Sequence, residues 1–112
     1  MIGGELKRIV ALIHEKAGED VVVLYIKPIN PVIGDYFVIA TGFTTDHLLD
    51  MAEEIAQEFG GRVEGNDLSS WVVVDLGDIV IHLFLPDARA FYSLEDLYGD
   101  AEVLYSEREE VV

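Results

Sequence analysis

Two apolar segments, Trp71-Val72-Val73-Val74-Asp75-Leu76 and Ile79-Val80-Ile81-His82-Leu83-Phe84-Leu85, are separated only by Gly77-Asp78. β-Branched and aromatic residues favour extended backbone, and a two-residue spacer containing glycine suits the tight turn of an antiparallel hairpin. Such a turn sets the register. It pairs Leu76 with Ile79, Val74 with Ile81 and Val72 with Leu83, an aliphatic face that has to be buried. The opposite face carries Trp71 beside Phe84, Val73 beside His82 and Asp75 beside Val80, with Asp75 diagonal to His82. That mixture suits either a second packed layer or a recognition patch. A hairpin alone is marginal in water, so the rest of the chain must supply its cover.

From Glu5 to Ala17, Leu6, Ile9, Val10, Ile13 and Ala17 form one helical stripe, with Gly18 expected as its stop. Val21 to Ile26 is a continuous β-branched run, expected as a strand covered on both faces and interrupted by Pro28 and Pro31. Tyr36 to Ala40 reads as another strand. Leu48, Leu49, Ala52, Ile55, Ala56 and Phe59 predict a helix from Thr45 to Gly60, capped by Thr44 or Thr45 with Asp46 complementing its dipole. Arg62 to Glu64 suggests a short strand, and Ala88 to Tyr92 a helical turn after Pro86. Ser93-Leu94-Glu95-Asp96 matches a capping box that opens a last short helix. The expected fold is α/β, a single mixed β-sheet of about five strands flanked by helices. One domain over 1–101 is followed by a frayed acidic tail over 102–112, which carries Glu102, Glu107, Glu109 and Glu110.

Composition narrows the function. The chain of 112 residues has 7 Lys and Arg against 22 Asp and Glu, a net charge of −15. Its own field repels phosphate backbones, so direct DNA or RNA binding is not expected and a basic protein is the favoured partner. There is no cysteine, which removes disulfides, thiolate catalysis and thiolate-held metals. Met1 to Leu12 mixes charges with apolar residues and no apolar run approaches about 20 residues, so no signal peptide and no membrane span are expected, and a cytoplasmic location is.

Candidate catalytic arrangements are weak. His82, oriented by Asp75 or Asp78 and near Ser69 or Ser70, would form a nucleophile, base and orienter set, but the serines lack a nucleophile-elbow pattern. His14, His47 and His82 are scattered, and Asp75 and Asp78 straddle a turn, so no metal or other cofactor is expected. Thr41 to Thr45 joins a strand to a helix start and could hold an anion, although a turn with an N-cap accounts for it.

The run from Gly65 to His82, followed by Arg89, Tyr92, Leu94-Glu95 and Leu97-Tyr98, resembles the Iojap family of ribosomal silencing factors. The resemblance extends back through Asp35 to Gly42 and Thr44-Thr45-Asp46-His47, covering Leu6 to Ala101. It implies a nucleotidyltransferase-like sheet without an enzymatic role. It also implies docking on the large ribosomal subunit through that subunit's fourteenth ribosomal protein, which blocks joining of the small subunit and represses translation. Organellar relatives act in ribosome biogenesis.

The positions carried over as a docking surface are Trp71, Asp75, Asp78, His82, Arg89, Tyr92, Glu95 and Leu97, with Phe84 beside them. Asp46 replaces a common Arg and Tyr98 a common Trp, so an anion-binding role for the helix start is put in doubt. The alternative from another class is a small metal-dependent hydrolase or nucleotidyltransferase using His82 and nearby carboxylates. A third reading is an assembly chaperone for a basic protein. An aromatic face or a free sheet edge could also pair two copies into a homodimer.

Overall fold

The computed structural model describes residues 3–108. In chain order the elements are α1 (Gly4–Glu15), β1 (Glu19–Tyr25), β2 (Tyr36–Thr41), α2 (Thr45–Phe59), β3 (Arg62–Glu64), β4 (Trp71–Asp75), β5 (Ile79–Phe84), α3 (Pro86–Tyr92), α4 (Leu94–Leu97) and β6 (Glu102–Ser106). They build one six-stranded sheet in the order β3-β4-β5-β2-β1-β6. Only β2 and β5 run parallel, joined by a crossover that includes α2; every other pair is antiparallel.

The hairpin forms in the expected register, with Trp71 opposite Phe84, Val73 opposite His82 and Val74 opposite Ile81. The Leu76 N–H donates to the Ile79 carbonyl at 2.9 Å, closing the two-residue turn. Gly77 takes φ +93° and the following Asp78 does not go positive, the pattern of a type II′ turn. Only glycine takes the first position without strain.

The two faces are covered differently. The aliphatic hairpin face, with Val72, Val74, Ile81 and Leu83, packs under α1 and α2 against Ile9, Ile13, Leu48, Met51 and Ile55. The other face buries Val22, Leu24, Phe37, Ile39 and Phe84 beneath Leu94 and the flanking Ile33, Ala88, Tyr98 and Ala101. The mixed face is therefore mostly a second packed layer, open only at its rim.

Three expectations are revised. The first helix ends at Glu15 because Ala17 turns left-handed at φ 63° while Gly18 N–H donates to the Ile13 carbonyl and Ala17 N–H to that of His14. Gly18 is instead needed for closeness: a Cβ there would lie 2.5 Å from Ile13 and 2.7 Å from Met51. The capping box at Ser93 does not form. Ser93 already closes α3 with φ 47°, and its hydroxyl donates to the Asp96 carboxylate at 2.6 Å.

The largest change concerns the acidic C-terminal segment. Residues 102–106 are not frayed but form β6, raising the strand number to six. Glu107 anchors it. A bulge between Glu19 and Val22, with Asp20 at φ 54°, breaks the β1–β2 register, and beside it Val21 faces the end of β6, its carbonyl accepting from the Glu107 N–H at 2.9 Å. The Val21 N–H points the same way. The Glu107 carboxylate accepts from that N–H at 3.0 Å, from the Tyr105 hydroxyl at 2.6 Å and from the His14 ring. Glu109 and Glu110 lie outside the described residues.

Candidate functional site

A file of aromatic rings runs from the second core to the surface. Phe84, fully buried, stacks on Trp71 with centroids 4.8 Å apart, Trp71 meets Tyr92 at 4.8 Å, and Tyr92 meets Phe91 edge-on at 5.1 Å. Exposure rises along it to 48% at Tyr92 and 81% at Phe91. β4 and β5 hold the inner pair; α3, started by Pro86 at its first position, presents the outer pair. Rings stacked in this way give a rigid apolar surface at little entropic cost.

His82 fixes the centre of the file. The Trp71 indole N–H donates to His82 Nδ1 at 3.1 Å. An indole nitrogen can only donate, so Nδ1 accepts and the imidazole is the neutral tautomer with its proton on Nε2. Burial pushes the His82 pKa from 6.5 down to about 4. Nε2 is buried without a partner among the described residues, and the ring lies against Phe37 at 4.5 Å. Among the described residues no carboxylate bonds to the ring. Asp75 instead accepts from the Gly77 N–H at 2.8 Å and faces Arg62 at 3.6 Å, while the Ser69 hydroxyl accepts from the Asn66 N–H. His82 thus positions Trp71, and the base, orienter and nucleophile arrangement is not assembled.

Arg89 is buried with its guanidinium turned inward. It donates to the Asp20 carbonyl at 2.7 Å, the Thr41 hydroxyl at 2.8 Å, and Glu95 Oε2 at 2.9 and 3.0 Å. Burial lowers its pKa from the usual arginine value while Glu95 opposes the shift. Arg108 adds a 2.7 Å contact to the same Glu95 oxygen. The cluster ties α3 and α4 to the start of β1 and the end of β2, and so holds the helices that present Tyr92 and Leu97.

Of the nine positions carried over from the resemblance, His82, Phe84 and Arg89 are buried and shape the surface from beneath. Asp78 and Leu97 are exposed, the latter at 70%, and Tyr92 is about half-exposed. Trp71, Asp75 and Glu95 are partly covered.

Two exposed aromatics escaped the sequence reading. Phe91 precedes Tyr92 on α3, and Phe43 lies just before α2. Phe43 is held by a small network: its N–H donates to His47 Nδ1 at 3.0 Å, His47 Nε2 meets the Lys16 carbonyl at 2.6 Å, and Thr44 Oγ1 caps α2 by accepting from His47 N–H. The signal was present as Phe43-Thr44-Thr45, where an apolar residue stands just outside a capped helix start.

A protein-family profile described as "Ribosomal silencing factor during starvation" matches residues 3–111. This chain belongs to that family. The match takes in β6, so the family resemblance is not confined to the part before the acidic segment. The ribosomal silencing factor of Halalkalibacterium halodurans is 41% identical over 102 residues, 86% of each chain. A mouse protein named mitochondrial assembly of ribosomal large subunit protein 1 is 32% identical over 103 residues, 84% of this chain and 45% of that one. A crystal structure from Bacillus halodurans superposes with a TM-score of 0.68 at 38% identity, covering 82% of this chain and 90% of that one. Ribosomal silencing factors are translation regulators associated with the ribosome, and the family match runs along nearly the whole of this chain.

Proposed function

We propose that this protein binds the large ribosomal subunit through that subunit's fourteenth ribosomal protein and, by its bulk, prevents the small subunit from joining. Translation is thereby repressed in the cytoplasm, by steric exclusion and without catalysis. The observation that carries this reading is the file of rings ending in half-exposed Tyr92 and exposed Phe91 on α3, with exposed Leu97 and the Glu95 carboxylate on the following α4, Asp75 on β4 and Asp78 in the β4–β5 turn. Interfaces of this kind combine aromatic anchors with a polar rim. A net charge of −15 suits a basic ribosomal protein and opposes ribosomal RNA.

The name of the mouse relative points to the large subunit, and the names of the bacterial relatives to silencing. The rival enzymatic reading gains nothing from His82, whose Nδ1 is taken by an indole and whose Nε2 is buried. Among the described residues no group of three or more His, Asp or Glu stands together to hold a metal.

The direct test is binding to the purified fourteenth ribosomal protein, comparing wild type with Leu97→Glu. Leu97 is exposed, so the variant keeps its fold, and a charge there should weaken binding at least tenfold. Wild-type affinity in the folded variant would place the contact elsewhere.

A further inference from the structure

Beside the outer end of the aromatic file, a groove of about 620 Å³ runs between the start of α2 and α3. Phe43 lines it from beside α2, Phe91 and Tyr92 from α3, and Ser70, Pro86 and Asp87 complete its polar and apolar lining. Among the described residues no Lys or Arg lines it, and Asp87 is the one charged side chain in its lining. Asp46 in the first turn of α2 is also exposed, and Thr45 ties that turn to the Asn66–Ser69 loop through the Ser69 carbonyl, bringing in the loop that carries Asp67. Phe91 packs edge-on against Tyr92, and the Phe43 ring stacks over His47 at 6.0 Å while its backbone is held by the same imidazole.

We infer that this groove receives a basic side chain, arginine above lysine, from the partner protein. Aromatic faces attract a cation, arginine's planar guanidinium stacks on them, and a single carboxylate in the groove pairs with its N–H fork. An apolar side chain would leave Asp87 desolvated, and a phosphate would meet it as a like charge. The inference rests on the proposed docking reading and extends it past the positions the family resemblance supplies, to Phe43, Asp87 and Phe91.

Two measurements test it together. The first is an NMR titration of the whole protein with an arginine hexapeptide and with its glutamate counterpart. The arginine peptide should shift the ring signals of Phe43, Phe91 and Tyr92, the glutamate peptide should not, and Asp87→Lys should abolish the effect. Shifts scattered over the acidic surface, or an unaltered response in Asp87→Lys, would overturn the inference.

The second is co-sedimentation with isolated large subunits. Phe91→Ala and Asp87→Lys, both at exposed positions, should weaken association about tenfold or more. If Leu97→Glu loses binding while these two retain it, the groove inference fails and the docking reading stands. If the arginine peptide fills the groove but the wild-type protein ignores large subunits, the docking reading fails and the groove stands as a basic-peptide site.

Discussion

Mild acid should weaken the fold through His82. An imidazole in the unfolded chain titrates near 6.5, whereas the buried His82 ring is held at about 4. Between those values the unfolded chain takes up a proton that the fold excludes. Stability is therefore complete above pH 6.5 and falls as the pH drops toward 4. At about 1.4 kcal/mol for each tenfold change in proton affinity, the loss is about 2 kcal/mol at pH 5 and about 3 kcal/mol by pH 4. The cause is structural: a protonated Nδ1 cannot accept the Trp71 N–H, and the cation would sit among Phe37, Trp71 and Phe84.

His82→Asn isolates the effect. Its amide oxygen stands near the place of Nδ1 and can still accept from the indole, yet it does not titrate. The smaller side chain costs about 1–3 kcal/mol at neutral pH, independently of pH in this range. Urea unfolding followed by the fluorescence of Trp71, the sole tryptophan, reads both proteins. The stability gap between wild type and variant should narrow by about 2 kcal/mol from pH 7 to pH 5. A gap that stays constant would refute the buried, neutral His82.

Arg89→Met should destabilise by about 3–5 kcal/mol in the same assay, because the Thr41 hydroxyl, the Asp20 carbonyl and much of the Glu95 charge lose their partner. Removing both charges in Arg89→Met/Glu95→Leu should recover part of that loss, and equal losses in the two variants would contradict the pairing. Glu107→Ala should release β6, seen as faster hydrogen exchange at Val21 and in 102–106 with β2 and β5 unchanged. Burial alone would raise the Glu107 pKa, but the hydrogen bonds from Tyr105, Val21 N–H and His14 outweigh it and lower it. The same release should therefore occur in wild type as the pH falls below the ordinary carboxylate range; exchange in β6 that ignores both perturbations would remove Glu107 as its anchor. Association with large subunits should slow as salt rises, since steering between an acidic protein and a basic partner is screened, and salt-independent rates would remove that part of the account.

The hairpin was legible because a two-residue glycine turn leaves its register no freedom and period-two alternation names the buried face. Both long helices were legible from their apolar stripes. β6 was not, because an edge strand needs little apolar content and its one neighbour, β1, lies far away in sequence. His82 was placed on the correct face, yet its partner was read as the wrong diagonal neighbour. Asp75 sits at the open turn end, where Gly77 N–H and Arg62 satisfy it, and turning it inward would bury a carboxylate. Trp71, on the other diagonal, brings a donor with little polar surface to desolvate. Arg89 read as a surface contact because nothing local marks a buried arginine. Its partners Thr41 and Asp20 stand 48 and 69 residues away.

The central claim is that this protein occupies the large subunit and thereby keeps the small one off. Purified protein sedimented separately with large subunits, small subunits and joined ribosomes, alongside a subunit-joining assay, tests it most directly. The account predicts association with free large subunits alone and loss of joining as they fill. Absence from every particle, or association with large subunits that still join at the normal rate, would contradict it.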